Sequence, residues 1–109
     1  TPPNPDGVAF MVLAYPAYLL DDDDPGQLRP DLNVTSAAPA TFFVHAHDDP
    51  HTAAGSALLY VALKQAGVDG ELHVYGSGGH GFGMLDRGHP VDSWHTRCTE
   101  WLRDQGWIG

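Results

Sequence analysis

The apolar positions along the chain fall into short unbroken runs and longer periodic stretches, and the two kinds alternate. Residues 8 to 15, VAFMVLAY, are continuously apolar over the length of a strand. Such a run predicts a strand buried on both faces, as in parallel sheets. Pro16 ends it, and a long loop rich in Asp, Pro and Gly follows. Residues 41 to 46, TFFVHA, predict a second buried strand. Over residues 53 to 66, Leu58, Leu59, Ala62, Leu63 and Ala66 recur at helical spacing, and Gly67 stops the helix. Residues 71 to 75, ELHVY, predict a third strand. After the glycine-rich GSGGHGFG, residues 90 to 106 predict a last helix, with Asp92 or Ser93 as its cap and Trp94, Cys98, Trp101 and Leu102 as its buried stripe. Strands alternating with helices imply an α/β fold with a mostly parallel sheet and right-handed crossovers. Three strands and two helices make a thin unit. With helices on one face only, the other face would be bare, so part of the sheet is expected to lie outside the chain. A second chain is expected to cover the exposed sheet edge.

Composition narrows the function. The 109 residues allow one small domain, here the whole span 1–109, and the hydrophobic content of 42% is enough for a packed core. The formal net charge is -9, with one lysine, Lys64, so a nucleic-acid backbone or an anionic membrane is an unfavourable partner. No apolar run approaches the roughly 20 residues that span a bilayer. The opening TPPNPDG reads as a proline-rich linker, and the chain is expected to be a piece of something longer. No signal peptide is visible in this segment. The compartment is open, with a periplasmic or secreted parent compatible. Cys98, the single cysteine, excludes an internal disulfide and a thiolate zinc cluster. Asn33-Val34-Thr35 matches a glycosylation triplet short enough to arise by chance. The run Asp21 to Asp24 lacks the alternating ligands of a calcium loop and reads as a solvated segment.

The chemistry concentrates after the second and third strands, in HAHDDPH and GSGGHG. In open parallel sheets, ligands meet the protein beyond the carboxyl ends of the strands. One strand–helix–strand passage separates Asp49 from His80, so their loops emerge side by side. A carboxylate beside an imidazole is what a serine hydrolase uses to fix the ring's tautomer. The glycines around His80 let the chain turn sharply. Tyr15, Pro16 and Tyr18, at the end of the first strand, are candidate substrate contacts, as is His51 at the cleft rim. The alternative is a metal-dependent hydrolase. On a strand His45 and His47 point to one face, and metallo-hydrolases use His-x-His-x-Asp-His. Here Pro50 follows Asp49, the next histidine is one residue late at His51, and no distant ligand set completes three ligands. GSGGHG lacks a P-loop lysine.

The segments PATFFVHAHDDP, SALLYVALKQAGVDGELHVY, GGHGFGM and HPVDSWHTRCTEWLRDQGW, together with FMVLAYPAYL before them, resemble the C-terminal half of an α/β-hydrolase of the dienelactone-hydrolase-like and acetylxylan-esterase-like branch. In that family an acid follows the penultimate strand and a histidine the last. Counting from His45, the resemblance implies Asp49 as the acid, with Asp48 a loop residue helping to start the next helix, and His80 as general base. It implies a carboxylic-ester hydrolase acting through a Ser-His-Asp triad on acetyl or similar esters, small-molecule or plant-polysaccharide, with no metal or organic cofactor. The nucleophile and oxyanion hole precede the acid in such chains, and no Gly-x-Ser-x-Gly occurs here. The chain is therefore expected to be inactive by itself. Relatives often carry a Val-Pro-type turn where this chain has PHTAAGS, which bears on the shape of the acid loop. The remaining class is a non-catalytic interaction module.

Overall fold

A computed structural model describes residues 8–109; the proline-rich opening, residues 1–7, lies outside the described residues. Strands β1 (Phe10–Ala14), β2 (Ala40–Ala46) and β3 (Gly70–Tyr75) form one parallel sheet in the order β1-β2-β3. Phe10 stands opposite Ala40, and Thr41 opposite Gly70. Helix α1 (Ala54–Gln65) joins β2 to β3, and α2 (Trp94–Asp104) follows β3. The α/β class, the strand count and the parallel pairing are as the apolar runs predict.

The central strand explains the layering. Successive side chains of a strand point to opposite faces. Phe42, Val44 and Ala46 face α2, where they meet Cys98, Trp101, Phe82 and Val91. Phe43 faces α1, where it meets Leu59 and Leu63. The expectation of a sheet bare on one face is thus corrected, because the helices lie on opposite faces. Leu19, Leu28, Val34 and Ala38, from the loop between β1 and β2, help α1 cover its side. That loop is less formless than its composition implies. Leu20 and Leu28 form an antiparallel bridge, and Asp21 and Asp24 accept backbone N–H groups two residues on.

Both helices end alike. The N–H of Gly67 bonds to Lys64 O and that of Val68 to Leu63 O, while Gly67 takes φ +77°. The N–H groups of Gly106 and Trp107 bond in the same pattern to Arg103 and Leu102, with Gly106 at φ +84°. This double bond closes the last turn and needs a residue that tolerates a left-handed backbone. The predicted last helix begins differently from its expectation. Residues Pro90–Ser93 form a 3-10 turn, and α2 starts only at Trp94. Ser93 makes no side-chain cap bond. Asp92 instead reaches backward, its Oδ2 accepting from the N–H groups of Arg87 (2.8 Å) and His89 (3.0 Å).

Candidate active site

The carboxyl ends of all three strands meet at one edge. β2 runs into the acid loop, residues 47–53, and β3 into the glycine-rich loop that carries His80. Asp49 is buried, its side chain fully so, while the His80 side chain is 38% exposed. His80 Nδ1 lies 2.8 Å from Asp49 Oδ2. A carboxylate only accepts, so Nδ1 carries the proton. Among the described residues Nε2 has no hydrogen-bond partner, which leaves a lone pair on the open side of the ring. The other carboxylate oxygen, Oδ1, accepts the N–H of His51 at 2.7 Å. Burial pushes the Asp49 carboxyl up. The bonds from His80 and from the His51 N–H, with the charges of His80 and His45, outweigh that and hold it below the ordinary carboxylate range.

The loop around His80 is pinned at three points. Asp48 Oδ1 accepts the N–H of Gly79 at 2.8 Å, and that bond is the chief reason the Asp48 carboxyl is held low. Asp48 therefore braces the base loop, which corrects its reading as a residue that starts α1. Arg87 donates through Nη2 to Gly78 O at 2.8 Å. Gly78 itself sits at φ +145°, and a Cβ there would lie 2.8 Å from Val91 Cγ1. Only glycine fits both the backbone and the space. Arg87 and Ser56 are the partners that the sequence did not reveal. Arg87 reaches Gly78 within its own connection and Ser56 reaches His45 on β2, and neither sits in a pattern that marks it as a partner.

Aromatic rings line the cleft beside the pair. The Tyr15 ring meets those of His80 (4.9 Å) and Phe82 (4.8 Å) edge-on. The His51 ring lies 4.7 Å from His80 and 5.4 Å from Tyr18. Tyr15 is half-buried and forms a wall under His80, whereas Tyr18 is 78% exposed. Both tyrosines have left-handed backbones, at φ 41° and 62°. Positive φ is uncommon for bulky residues and clusters at functional sites. Next to His51 opens a cavity of about 310 Å³, lined by Tyr18, Leu19, Leu20, Asp21, His51 and Gly55 among others.

The histidines of HAHDDPH do not converge. β2 ends at Ala46, so His45 and His47 do not share a strand face as expected. His45 is fully buried, and His47 is exposed. Among the described residues no three His, Cys, Asp or Glu side chains are grouped to hold a metal ion.

A three-stranded parallel sheet with a helix on each face is the architecture of the C-terminal half of the α/β-hydrolase fold, and this chain carries that fold. It is similar to the acetyl ester-xyloside bifunctional hydrolase from Caldicellulosiruptor lactoaceticus at 30% identity and a TM-score of 0.79, over 93% of this chain and 44% of that one. It also has the fold of a carboxylesterase from Lactobacillus plantarum (22% identity, TM-score 0.72, 93% of this chain and 46% of that one). A sugar hydrolase from Lactococcus lactis shares the fold at 24% identity and a TM-score of 0.69, over 89% of this chain and 48% of that one. The chain thus spans less than half the length of each. No protein-family model matches the sequence, and a search of curated proteins finds no match.

Proposed function

We propose that Asp49 and His80 are the acid and the general base of a serine-type carboxylic-ester hydrolase whose nucleophile is supplied from outside these 109 residues. The observation that carries this reading is the 2.8 Å bond from His80 Nδ1 to the buried Asp49, with Nε2 left without a partner among the described residues. In this mechanism the serine hydroxyl attacks the ester carbonyl and His80 Nε2 takes its proton. The same proton then passes to the leaving alcohol as the C–O bond breaks. Water, deprotonated by Nε2, cleaves the acyl-enzyme, and the serine recovers its proton. Asp49 keeps the ring in the Nδ1–H tautomer and stabilises the imidazolium formed at each half-reaction. No metal or organic cofactor enters these steps.

The substrate class is an uncharged ester, small or attached to a polysaccharide. Tyr18 and His51 offer ring faces and edges beside the cavity, and Asp21 places a carboxylate on its rim. The net charge of -9 disfavours anionic esters. The acetyl-ester activity named for the Caldicellulosiruptor enzyme supports an acetyl group.

The test is hydrolysis of 4-nitrophenyl acetate by the polypeptide extended upstream, in EDTA, for wild type and His80→Ala. Turnover that persists in EDTA and collapses in the variant is expected. Turnover abolished by EDTA would instead return the acid loop to a metal role. Turnover retained in His80→Ala would remove His80 from the chemistry.

A further inference from the structure

The steps above leave His45 without a part, yet its side chain is as enclosed as that of Asp49. It lies on β2, on the α1 face, with no exposure at all. Its Nε2 is 2.6 Å from the carbonyl oxygen of His51 and 3.2 Å from Asp49 Oδ2. Both are acceptors only, so Nε2 holds the hydrogen. Its Nδ1 is 2.9 Å from Ser56 Oγ, in the first turn of α1. In the neutral ring the Ser56 hydroxyl then donates to the free Nδ1 lone pair. One ring thus touches the acid, the turn that follows the acid and the start of α1.

We propose that His45 is a positioning residue that aims Asp49 at His80. The inference rests on the Asp49–His80 reading. The bonds around the acid form a closed set. His51 gives its N–H to Asp49 Oδ1 (2.7 Å), and its carbonyl takes the His45 hydrogen. His45 thereby holds the far end of the turn by its hydrogen bond, and its ring, 3.2 Å from Oδ2, limits the room in which the carboxylate can rotate. Oδ2 is the oxygen that receives His80. Without the His45 donor, the His51 carbonyl loses its partner, and the turn that presents the His51 N–H to Oδ1 is released. The carboxylate is then free to turn, and His80 loses the partner that selects its tautomer. Ser56 acts on the far nitrogen and supports the ring without touching the acid.

Long-range nitrogen–proton NMR of the histidine rings tests this on the 109-residue chain, because it reads tautomers without activity. The variants are His45→Gln, which keeps a donor at the Nε2 position, His45→Phe, which fills the space without one, and Ser56→Ala. His80 is expected to show Nδ1–H in wild type, His45→Gln and Ser56→Ala, and to lose that signal in His45→Phe. Ser56→Ala is expected to lower the melting temperature while leaving the signal, which separates positioning from mere support. Should His45→Phe fail to fold, His45→Asn replaces it, since its amide reaches toward Ser56 but not to the His51 carbonyl. A His80 Nδ1–H signal retained in His45→Phe or His45→Asn overturns the inference and leaves the Asp49–His80 pair intact. Wild type with His80 protonated on Nε2 alone overturns the pair itself, and this inference with it.

Discussion

At the scale of single residues the decisive feature is how unlike the two neighbouring aspartates are. Asp49 is enclosed and takes the His80 imidazole and one backbone N–H, with the His45 ring 3.2 Å away, while the exposed Asp48 takes the N–H of Gly79. Exchange of Asp49 for Asn keeps the shape but offers His80 an amide, and the wrong tautomer follows. In the upstream-extended polypeptide, Asp49→Asn is expected to cut kcat by about 10⁴-fold, the size of that exchange in a serine triad, with KM little changed. Steady-state kinetics on 4-nitrophenyl acetate checks it, and a loss under tenfold would take Asp49 out of the triad. Acid stability gives a second reading. The Asp49, Asp48 and Asp92 carboxyls are all held below the ordinary range in the folded chain. A depressed folded pKa contributes stability that is full above the unfolded value, about 3.9, and is lost as pH falls through the folded value. The urea midpoint is therefore expected to fall as pH drops from 6 to 3, and to fall less steeply in Asp49→Asn. Parallel slopes in the two proteins would mean that the folded chain does not hold this carboxylate ionised. Asp48 and Asp49 were both visible in the sequence as candidates. Their division of labour was not, because it depends on which loop each reaches across to.

Among the elements, the strands and helices were legible because each rests on a local pattern. FFV in β2 is apolar on both faces, and α1 ends where Gly67 permits the left-handed turn. The 3-10 turn before α2 was not legible, since it is set by Asp92 bonding back to Arg87 and His89 rather than by a forward cap. The side of the sheet taken by each helix was also hidden, because periodicity gives a buried stripe and not the face it covers. The glycines around His80 were read as allowing a sharp turn, and the structure adds that Gly78 is a packing position. Alanine there meets Val91 Cγ1 at 2.8 Å and also a backbone region closed to it, φ +145°. At Gly81, φ +74°, a Cβ meets nothing within 4 Å, so only the backbone resists. Gly81→Ala is expected to cost about 1 to 2 kcal/mol and Gly78→Ala clearly more. Measured against Val91→Ala alone, adding Gly78→Ala should cost only the backbone part, because the Cγ1 that it meets is gone. Urea denaturation of these variants checks the order, and equal costs at the two glycines would show that Val91 yields freely. In α1, Leu63→Ala removes a side chain packed with Phe43 and Leu59 and is expected to cost about 2 to 5 kcal/mol by the same measurement.

For the molecule as a whole, the sheet is closed above and below and open at its sides. α1 and α2 cover the two faces, but among the described residues β1 and β3 each pair on one side only. The direction of each β1 amide follows from one bond. Tyr15 donates its N–H to Val44 O at 2.7 Å, so Tyr15 points toward β2. Backbone directions alternate along a parallel strand, which turns the amides of Leu13 and Met11 inward and those of Val12 and Ala14 outward. Val12 is also among the exposed large apolar residues, at 38%. Hydrogen exchange on the 109-residue chain at low concentration is therefore expected to alternate along β1, with Val12 and Ala14 fast and Leu13 slow. The buried amides of β2 should be among the slowest. A second strand laid along β1 would protect Val12 and Ala14 and abolish the alternation. We propose such a partner for this edge, from a second chain, since an unpaired strand edge with an exposed valine invites one. Raising the concentration while following both exchange and sedimentation decides it. Protection of Val12 and Ala14 that grows with the sedimenting mass places the partner on β1. Growth in mass with the alternation unchanged places it elsewhere, and no growth at all removes the proposal that this chain pairs with its own copies.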